Sequence, residues 1–428
     1  MSTLKKYSSY KESGTAWLGN IPEHWESLPS KRYHRVDKSI NNNKSCDNVL
    51  SLTLRGVVNN NPDSPEGMIP KDYGTYQVFE QDDLVFKLID LENVKTSRVG
   101  LVHEKGIMSS AYIRLKIGNN VVPKFAYYYY YSLYLNQVFN NLGSGVRSTL
   151  GPTDLLEIQF VYPPEKEQTK IASFLDEKIA QIDNAIKQKE ELIKILKERR
   201  EIIIHKAVTQ GLDSEVELKR SKFRWLEKIP KHWELKALKH VLRERNERSE
   251  TGEETLFMMS QVHGLVVRSD YHDKAVVAQS SVGNKKVYKD DLVFNKLKAH
   301  LGVFAKSNID NIGIVSPDYA VYYGKGEIID LKYLELLFKN PIYISHFISK
   351  ATGIVEGLIR LYTDDLFSLK VPIPPENEQK NILEYVNGVS LKIDKAISLE
   401  KEQIDKLKEY KSTLIDSCVT GKVKVPTV

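Results

Sequence analysis

Residues 163–168 read PPEKEQ, and residues 374–379 read PPENEQ. After the first copy the chain continues to about Gln210 without another proline, and after the second it does so to about Gly421. Proline is tolerated in the first turn of a helix but not in its interior. Each proline pair therefore predicts the start of a long helix.

Both stretches carry apolar residues at alternating steps of three and four. In a helix this spacing forms one continuous seam, as in a coiled coil sustained over several heptads. Antiparallel packing of the two helices would bring the mid-helix Lys189 and Glu400 into adjacent layers as an opposite-charge pair. The residues that we assign to the coiled coil and its subunit contacts are Leu175, Ile179, Ile182, Ile186, Lys189, Ile193, Leu196, Ile393, Ile397, Glu400, Ile404 and Leu407.

Three further segments are repeated upstream of the two proline motifs. They are WLGNIPEHWE (17–26) with WLEKIPKHWE (225–234), DDLVF (82–86) with DDLVF (290–294), and GIMSSAY (106–112) with GIVSPDY (313–319). The copies keep one order, and their separation stays between 207 and 211 residues along each half. Matches of this kind indicate a tandem duplication.

The segment before each predicted helix has a different character. Residues 15–162 and 223–373 contain short runs of β-branched and aromatic residues separated by turn clusters, with helical stretches at about 124–140 and 330–350. We therefore predict an α+β fold, with two α+β domains in tandem, separated and joined by two long antiparallel coiled-coil helices with pseudo-two-fold symmetry. The predicted boundaries are 1–163, 164–211, 212–374 and 375–428.

Composition restricts the function only weakly. The 428 residues include 62 Lys and Arg against 56 Asp and Glu, and the resulting net charge of +6 is compatible with a polyanionic partner. Cys46 and Cys418 are the two cysteines, and they fit neither a disulfide framework nor a cysteine zinc site. The polar N-terminus and the absence of a long apolar run argue against secretion or a membrane span. We expect a cytoplasmic protein.

The proline pair, the acidic residue and the EQ pair before a heptad helix, written twice, resemble the hallmark of type I restriction-modification specificity subunits. The phrase DLVFNKLKAHLGVF…GIVSPDYAVYY (291–323) resembles a stretch of that family's target-recognition domains, and the IPxHWE openings agree with it. The resemblance covers essentially the whole chain. In the first half the corresponding stretch (83–102) departs from the phrase, as expected if the two domains read different bases.

The resemblance implies a non-catalytic, DNA-binding subunit. Each target-recognition domain would read one half of a split double-stranded DNA target. The two helices would hold the domains apart and dock two adenine-methylating modification subunits, and translocating restriction subunits would complete a phage-defence endonuclease. This chain would bind no cofactor or metal, and AdoMet, ATP and Mg²⁺ would be bound by the partner subunits.

Two rival functions remain open at this point. A self-contained adenine methyltransferase needs a glycine-rich AdoMet loop and an N/D-P-P-Y/F motif, but Asn340-Pro341-Ile342-Tyr343 lacks the second proline. We interpret Pro341 as a break between two helical segments. Gly143-Ser144-Gly145 is not followed by the Gly-Lys-Ser/Thr of a phosphate-binding loop. The second rival is a scaffold that uses its coiled coil for protein assembly alone.

Two aromatic features favour packing over chemistry. His24-Trp25-Glu26 and His232-Trp233-Glu234 lack the further ligands of a metal site or the partners of a catalytic dyad, so we interpret each tryptophan as a packing anchor. The five tyrosines 127–131 could stack on unpaired bases, but on a helix we expect them to pack within the domain.

Reading of DNA requires cationic and amide side chains on loops that enter a groove, with further cations on phosphates. Lys296 and Lys298 follow the second DDLVF segment, while Arg147 and Arg360 precede the proline motifs. The complete set of candidates is Arg55, Lys87, Lys95, Arg98, Arg147, Lys285, Lys286, Lys296, Lys298, His300 and Arg360.

Overall fold

The computed structural model describes residues 5–60, 72–92, 97–143, 149–221, 223, 226, 228–260, 263–271, 281–351 and 360–426, without the side chains of residues 299 and 300. The chain divides into two compact units. Unit 1 comprises Met1–Glu190 with Lys401–Val428, and unit 2 comprises Glu191–Glu400. Each unit holds one domain of mixed strands and helices with parts of two long helices. The predicted α+β class is confirmed.

The elements of unit 1 are short strands followed by helices. The strands are β1 (Tyr10–Glu12), β2 (Asn20–Pro22), β3 (Glu26–Pro29), β4 (His34–Val36), β5 (Leu50–Thr53), β6 (Gly56–Asn59), β7 (Gln77–Phe79), β8 (Leu84–Phe86), β9 (Val99–Leu101), β10 (Gly106–Met108), β11 (Ile113–Ile117) and β12 (Gln159–Tyr162). The helices are α1 (Pro123–Leu135), α2 (Val138–Leu142), α3 (Pro152–Glu157) and the long α4 (Glu165–Gln210), which continues into unit 2.

Unit 2 follows a similar plan. Its strands are β13 (Leu218–Arg220), β14 (Lys228–Pro230), β15 (Glu234–Ala237), β16 (Leu242–Glu244), β17 (Thr255–Ser260), β18 (Gly264–Val267), β19 (Lys285–Val287), β20 (Leu292–Asn295), β21 (Phe304–Lys306), β22 (Gly313–Val315), β23 (Tyr319–Gly324) and β24 (Lys370–Ile373). Its helices are α5 (Leu238–Val241), α6 (Lys332–Phe338), α7 (Pro341–Lys350), α8 (Thr363–Ser368) and the long α9 (Glu376–Val419), which continues into unit 1.

The duplication is visible in the sheets. Unit 1 contains an antiparallel sheet of order β4-β11-β8-β9, and unit 2 contains the corresponding sheet of order β16-β23-β20-β21. The DDLVF segments supply the inner strands β8 and β20. Strand β12, which precedes α4, pairs with β3, and β24, which precedes α9, pairs with β15 in the same way. The entry into each long helix is thus anchored to its domain.

The two aspartates of DDLVF shape the turn that enters the inner strand. Asp82 and Asp290 adopt left-handed conformations with φ of 69° and 68°, which aspartate tolerates better than most residues. Asp83 Oδ2 accepts a hydrogen bond from the Glu80 backbone N–H at 2.8 Å, and Asp291 accepts the equivalent one from Tyr288 at 2.9 Å. The repeated motif is therefore explained by turn geometry.

The long helices run antiparallel within unit 1. Lys411 Nζ lies 2.7 Å from Asp183 Oδ1, and Lys189 Nζ donates to Gln403 Oε1 at 2.5 Å. Residue numbers therefore increase along α4 in the direction in which they decrease along α9. The heptad spacing coincides with the shielded sides of the helices: Leu175, Ile182, Ile393, Ile397 and Ile404 are buried, and Ile179, Ile186, Ile193, Leu196 and Leu407 are half-buried. The pairing of Lys189 with Glu400 stays a prediction.

The expected packing roles of the aromatic residues and of Pro341 are confirmed. Trp25 and Trp233 are fully buried, and so are Tyr129 and Tyr130 of α1. Helix α6 ends at Phe338 and α7 begins at Pro341, where the Asn340 side chain caps the new helix by accepting from the Ile342 N–H at 2.9 Å. The segment 340–343, which most nearly matches a methyltransferase motif, is therefore the capped start of a helix.

His34 is the first residue of β4. The equivalent position in unit 2, the first residue of β16, is occupied by Leu242. The His34 ring is 5% exposed and packs edge-on against Phe160 with centroids 4.6 Å apart. Neither ring nitrogen has a hydrogen-bond partner of normal geometry among the described residues. Burial lowers the pKa of His34 to about 3, so the ring is held neutral.

We expect His34→Leu to stabilise unit 1 by about 1 kcal/mol at pH 7, because it removes an unsatisfied buried polar group. The unfolded chain takes up a proton near pH 6.5 whereas the folded His34 does not, so the native protein loses stability as the pH falls below that value. The advantage of the variant should therefore grow by about 2 kcal/mol between pH 7 and pH 5. Denaturant unfolding at both pH values measures this, with the exposed His240→Leu as control. A constant difference would contradict the assignment.

Candidate nucleic-acid interface

The repeated histidine-tryptophan pairs contact the repeated EQ motifs. In unit 1, His24 Nε2 lies 2.8 Å from Glu167 Oε2, and the Trp25 indole N–H donates to the same carboxylate at 3.2 Å. In unit 2, His232 Nε2 lies 2.6 Å from Glu378 Oε1, and the Trp233 indole donates to Oε2 at 2.9 Å. The carboxylate attaches the start of each long helix to its domain, which accounts for both motifs without catalysis.

The glutamine of each EQ motif completes this junction. The Gln168 side chain accepts from the Val122 N–H at 2.8 Å and donates to the Pro163 carbonyl at 2.8 Å. The Gln379 side chain accepts from the Ile329 N–H at 3.0 Å and donates to the Pro374 carbonyl at 2.9 Å. Both amides are buried, and these hydrogen bonds offset the cost of removing them from water.

The opposite ends of the long helices meet the same tryptophans. Gly421, two residues beyond α9, has φ of +76°, and a Cβ built there would lie 2.3 Å from Pro22 Cδ and 3.1 Å from Trp25 Cζ3. Gly211, just beyond α4, has φ of +79°, and its Cβ would lie 3.3 Å from Trp233 Cζ2. Glycine suits both places because the backbone is left-handed and space is short. Each domain therefore holds the start of one helix and the end of the other.

Three of the sequence-predicted cations lie on neighbouring loops of unit 2. Lys296 begins the turn after β20, and its carbonyl accepts a hydrogen bond from the Leu361 N–H at 3.1 Å. This bond brings Arg360 next to the Lys296 turn, and Lys298 is exposed two residues further along. We call Lys296, Lys298 and Arg360 the basic surface of unit 2.

Lys296 is partly desolvated by burial and lies among other charged groups. Its side chain is 18% exposed, and its Nζ lies 3.8 Å from Glu244 Oε1, an oxygen that Lys285 approaches more closely at 2.9 Å. Burial, followed by repulsion from Lys285, lowers the pKa of Lys296. Arg360 Nη2 lies 2.6 Å from Asp318 Oδ1. An anionic ligand such as a phosphate would relieve the repulsion between these cations.

Unit 1 has the same backbone hydrogen bond at the turn after its inner strand, but the residue at that turn has a different side chain. The Leu150 N–H donates to the Leu88 carbonyl at 2.9 Å, which repeats the bond between Leu361 and Lys296. Leu88 is buried in the core of unit 1, whereas Lys296 presents a cation. The two domains thus share a framework and differ in chemistry at the turn after the inner strand.

The remaining described candidates lie at separate places. Arg55 is exposed in the turn between β5 and β6 and lines an open cavity of about 570 Å³ with His103 and Tyr127. Lys87 follows β8 and is half-buried. Lys286 lies 3.1 Å from a Glu247 carboxylate oxygen, and hydrogen bonding to that carboxylate raises the pKa of Lys286.

Two predicted candidates do not face solvent and are removed from the DNA-facing set. Arg98 is 1% exposed, and its guanidinium donates to the carbonyls of Ile89 at 3.2 Å and Asp90 at 2.7 Å. Lys285 is 3% exposed and pairs with Glu244. These cations organise the inside of each domain and cannot reach DNA in this conformation. Lys95 and Arg147 lie outside the described residues, as does the side chain of His300.

The structure also reveals cations that the sequence analysis did not include. Lys31, Arg32 and Arg35 line an open cavity of about 620 Å³ in unit 1, together with Lys116. The basic run KRYHR (31–35) was a visible signal for this surface. Asp82 lines the cavity as well, so its charge is mixed.

Within the described ranges, no group of three or more His, Cys, Asp or Glu side chains is placed to hold a metal ion. Nor does any helix in the described part of the chain have both the length and the apolar character needed to cross a membrane.

Comparison of the sequence with known proteins gives a consistent result. Residues 54–194 match the family model described as the type I restriction modification DNA specificity domain. The chain is 23% identical over 320 residues to the putative type I restriction enzyme MjaX specificity subunit of Methanocaldococcus jannaschii, covering 70% of this chain and 69% of the relative. It is 22% identical over 392 residues to the type I restriction enzyme EcoBI specificity subunit of Escherichia coli, covering 85% and 77%.

Solved structures share the fold. A chain from a study of complex assembly and conformational transition of the type I R-M system superposes with a TM-score of 0.68 at 13% identity, covering 93% of this chain and 98% of the other. The HsdS subunit from Thermoanaerobacter tengcongensis superposes with a TM-score of 0.50 at 13% identity, covering 94% and 98%.

Proposed function

We propose that this chain, which is similar to type I restriction-modification specificity subunits, reads a bipartite double-stranded DNA target and presents that DNA to enzymes on other chains. Each domain reads one half of the target. The long helices dock two adenine-methylating modification subunits, and restriction subunits join this core. The chain itself catalyses no reaction.

The observation that carries the proposal is the difference between the two domains at one shared backbone position. The turn after the inner strand is joined to the segment before the proline motif by the same hydrogen bond in both units. That turn presents Lys296 in unit 2 and buries Leu88 in unit 1. A duplicated framework with divergent loops is what reading two different half-sequences requires, because base contacts come from side chains on groove-facing loops.

The chemistry of methylation and cleavage belongs to the partners in this proposal. AdoMet is bound by the modification subunits, and ATP with Mg²⁺ by the restriction subunits. The complex acts in the cytoplasm, where its DNA substrate lies. DNA affinity comes largely from phosphate contacts and falls steeply with salt.

A gel shift with the modification subunit tests this function. The assembled complex should bind DNA that carries its target at least about 10³-fold more tightly than random DNA at physiological salt. The target is found by sequencing adenine methylation in a host with and without the gene. If deleting the gene removes no methylated motif from the host DNA, the proposal is contradicted. AdoMet binding by the isolated chain would favour a methyltransferase, and assembly without sequence preference would favour a scaffold.

A further inference from the structure

The outer strand of the four-stranded sheet begins with a basic segment in both units. Residues 31–35 read KRYHR where β4 begins, and residues 239–243 read KHVLR where β16 begins. The two segments are 208 residues apart, like the two DDLVF copies, and both have lysine at the first position and arginine at the fifth. Neither the helix junction nor the turn after the inner strand accounts for this repeat.

In unit 1 the cations of this segment surround one cavity. Arg35 of β4 lies directly opposite Lys116 of β11 in the antiparallel register, so the two side chains share a face and repel each other. Lys116 Nζ lies 3.2 Å from Asp37 Oδ2, whereas Arg32 and Arg35 are exposed and form no ion pair with a described residue. With Lys31, these cations line the cavity of about 620 Å³. We call Lys31, Arg32, Arg35 and Lys116 the basic edge of unit 1.

The carboxylates on this cavity do not balance its cations. Asp83 is already paired with Arg114, whose Nε lies 2.5 Å from Asp83 Oδ2. Asp82 is the other carboxylate among the described residues that line the cavity. An anion bound between Arg32 and Arg35 would relieve the repulsion among the cations.

Unit 2 has an equivalent cluster with its own contacts. Lys239 and Arg243 are exposed, and the N–H of Lys325, just beyond β23, donates to the Val241 carbonyl at 2.8 Å. The Lys325 ammonium donates to the Lys239 carbonyl at 2.7 Å, which holds it beside the basic segment. None of these three cations forms an ion pair with a described residue. We call Lys239, Arg243 and Lys325 the basic edge of unit 2.

Both basic edges lie at the end of the sheet where the inner strand begins. In unit 1, Asp82 of the turn into β8 lines the same cavity as the cations. In unit 2, Arg243 lies one register position from the pair formed by Tyr322 and Leu292, where β20 begins. The turn after the inner strand is at the opposite end. From Asp82 to Leu88 the chain advances six residues, or about 20 Å when extended.

The duplication has kept the two ends of the sheet differently. The turn after the inner strand carries Leu88 in one unit and Lys296 in the other, whereas the basic edge is present in both. Side chains that read bases must differ between domains that read different half-sequences. Side chains that contact phosphates need not differ, because phosphates are the same along every sequence. A ligand with regularly repeated negative charge and no sequence requirement therefore fits the basic edges.

We propose that the basic edge of each unit binds phosphates of the target duplex outside the half-site that the same domain reads. A distance of about 20 Å corresponds to about six base pairs along a duplex at 3.4 Å each. These contacts add affinity and orient the domain on the DNA, and they carry no sequence preference. The inference rests on the proposed function, because it takes the duplex held at the other end of the sheet as the source of the phosphates.

The test measures binding of the complex assembled with the modification subunit to target and to random DNA by fluorescence anisotropy at several salt concentrations. Arg32→Gln/Arg35→Gln and Lys239→Gln/Arg243→Gln each remove two exposed cations, and circular dichroism checks that the fold is kept. Each double variant should weaken binding to both DNAs by the same factor, at least about 10-fold, and lower the salt slope by about 1.8. The ratio of the two affinities should stay constant. Lys380→Gln/Lys395→Gln, two exposed cations of α9, is the matched control and should change neither quantity.

Phosphate ethylation interference locates the contacts. With the native complex, ethylated phosphates outside the half-sites should weaken binding, and each double variant should become insensitive to those beside one half-site only. Unchanged affinity and an unchanged interference pattern in both variants overturn the inference and leave the proposed function standing.

Three other results also decide against the inference. A changed ratio between target and random DNA would make these residues base readers. Self-association of the variants with unchanged DNA binding would show that the cations only prevent the outer strand from pairing with another chain. Loss of the modification subunit with unchanged DNA affinity would identify a protein as the ligand. Failure of the native complex to prefer any target sequence would instead overturn the proposed function itself.

Discussion

Replacing Lys296, Lys298 and Arg360 together by alanine is expected to weaken binding of the assembled complex to its target DNA by at least about 100-fold at physiological salt. A lost base contact typically costs about 1–3 kcal/mol, so two such contacts are enough for this effect. The three side chains lie on loops, outside the helix junction built by Trp233 and Glu378. Assembly with the modification subunit should therefore remain intact.

The salt dependence of binding separates the roles of these cations. A cation on a phosphate lowers the slope of log affinity against log salt by about 0.9 when it is removed, whereas a cation on a base edge changes sequence preference. Fluorescence anisotropy at several salt concentrations, with the native and with singly mismatched targets, measures both. Lys380→Ala/Lys395→Ala on α9 removes two exposed cations from a helix and should change little. Unchanged affinity of the triple variant would show that the reading surface lies elsewhere, and Arg147→Ala tests the first domain in the same way.

Deleting one heptad from each long helix is expected to change the spacing of the DNA target. At 1.5 Å per residue, the 46 residues of α4 and the 44 of α9 correspond to about 69 Å and 66 Å. Half-sites read on one face of a duplex lie about 34–36 Å apart, which helices of this length can span. Removing seven residues keeps the seam in phase and shortens each helix by about 10 Å, or about three base pairs.

The methylated motif of the deletion variant should keep both half-sequences and lose about three base pairs from the unread spacer. Alternatively, methylation should disappear, because a shift of three base pairs also rotates one half-site around the duplex. Methylation sequencing in a host without the native gene distinguishes these outcomes. Deleting the heptad from α4 alone makes the two helices unequal in length by about 10 Å and serves as the inactive control. Methylation of the original spacing at full rate would show that the helices do not set the distance.

Much of the fold follows from local sequence signals. The proline pairs correctly placed the starts of α4 and α9, because helix starts are governed by nearby residues. The spacing of apolar residues located the seam because a helix has a fixed period. The repeated segments identified further structural residues, because a residue that is present in both copies of a duplicated segment is expected to support the fold that the copies share. Trp25 and Trp233 were correctly interpreted as packing residues on that ground.

The positions of individual cations could not be predicted in the same way. Arg98 looked like a surface residue in a charged loop, but carbonyls eight and nine residues earlier in the chain take up its guanidinium. Lys285 is paired with Glu244, 41 residues away, on another strand. Whether a lysine or arginine faces solvent depends on such distant partners. By contrast, the partnership between the HWE and EQ motifs was within reach, because each half of the chain contains one copy of both motifs.

The division of the two units along the chain bears on how the protein is made. The core of unit 1 combines Trp25 and Leu175 with Leu414, Ile415 and Cys418, which are synthesised more than two hundred residues later. Unit 2 is one uninterrupted segment, Glu191–Glu400. On the ribosome, the domain that emerges first must wait with part of its core uncovered while the second domain gathers all of its own residues. The first domain to be synthesised is therefore the last to be completed, and part of its apolar core stays exposed until then.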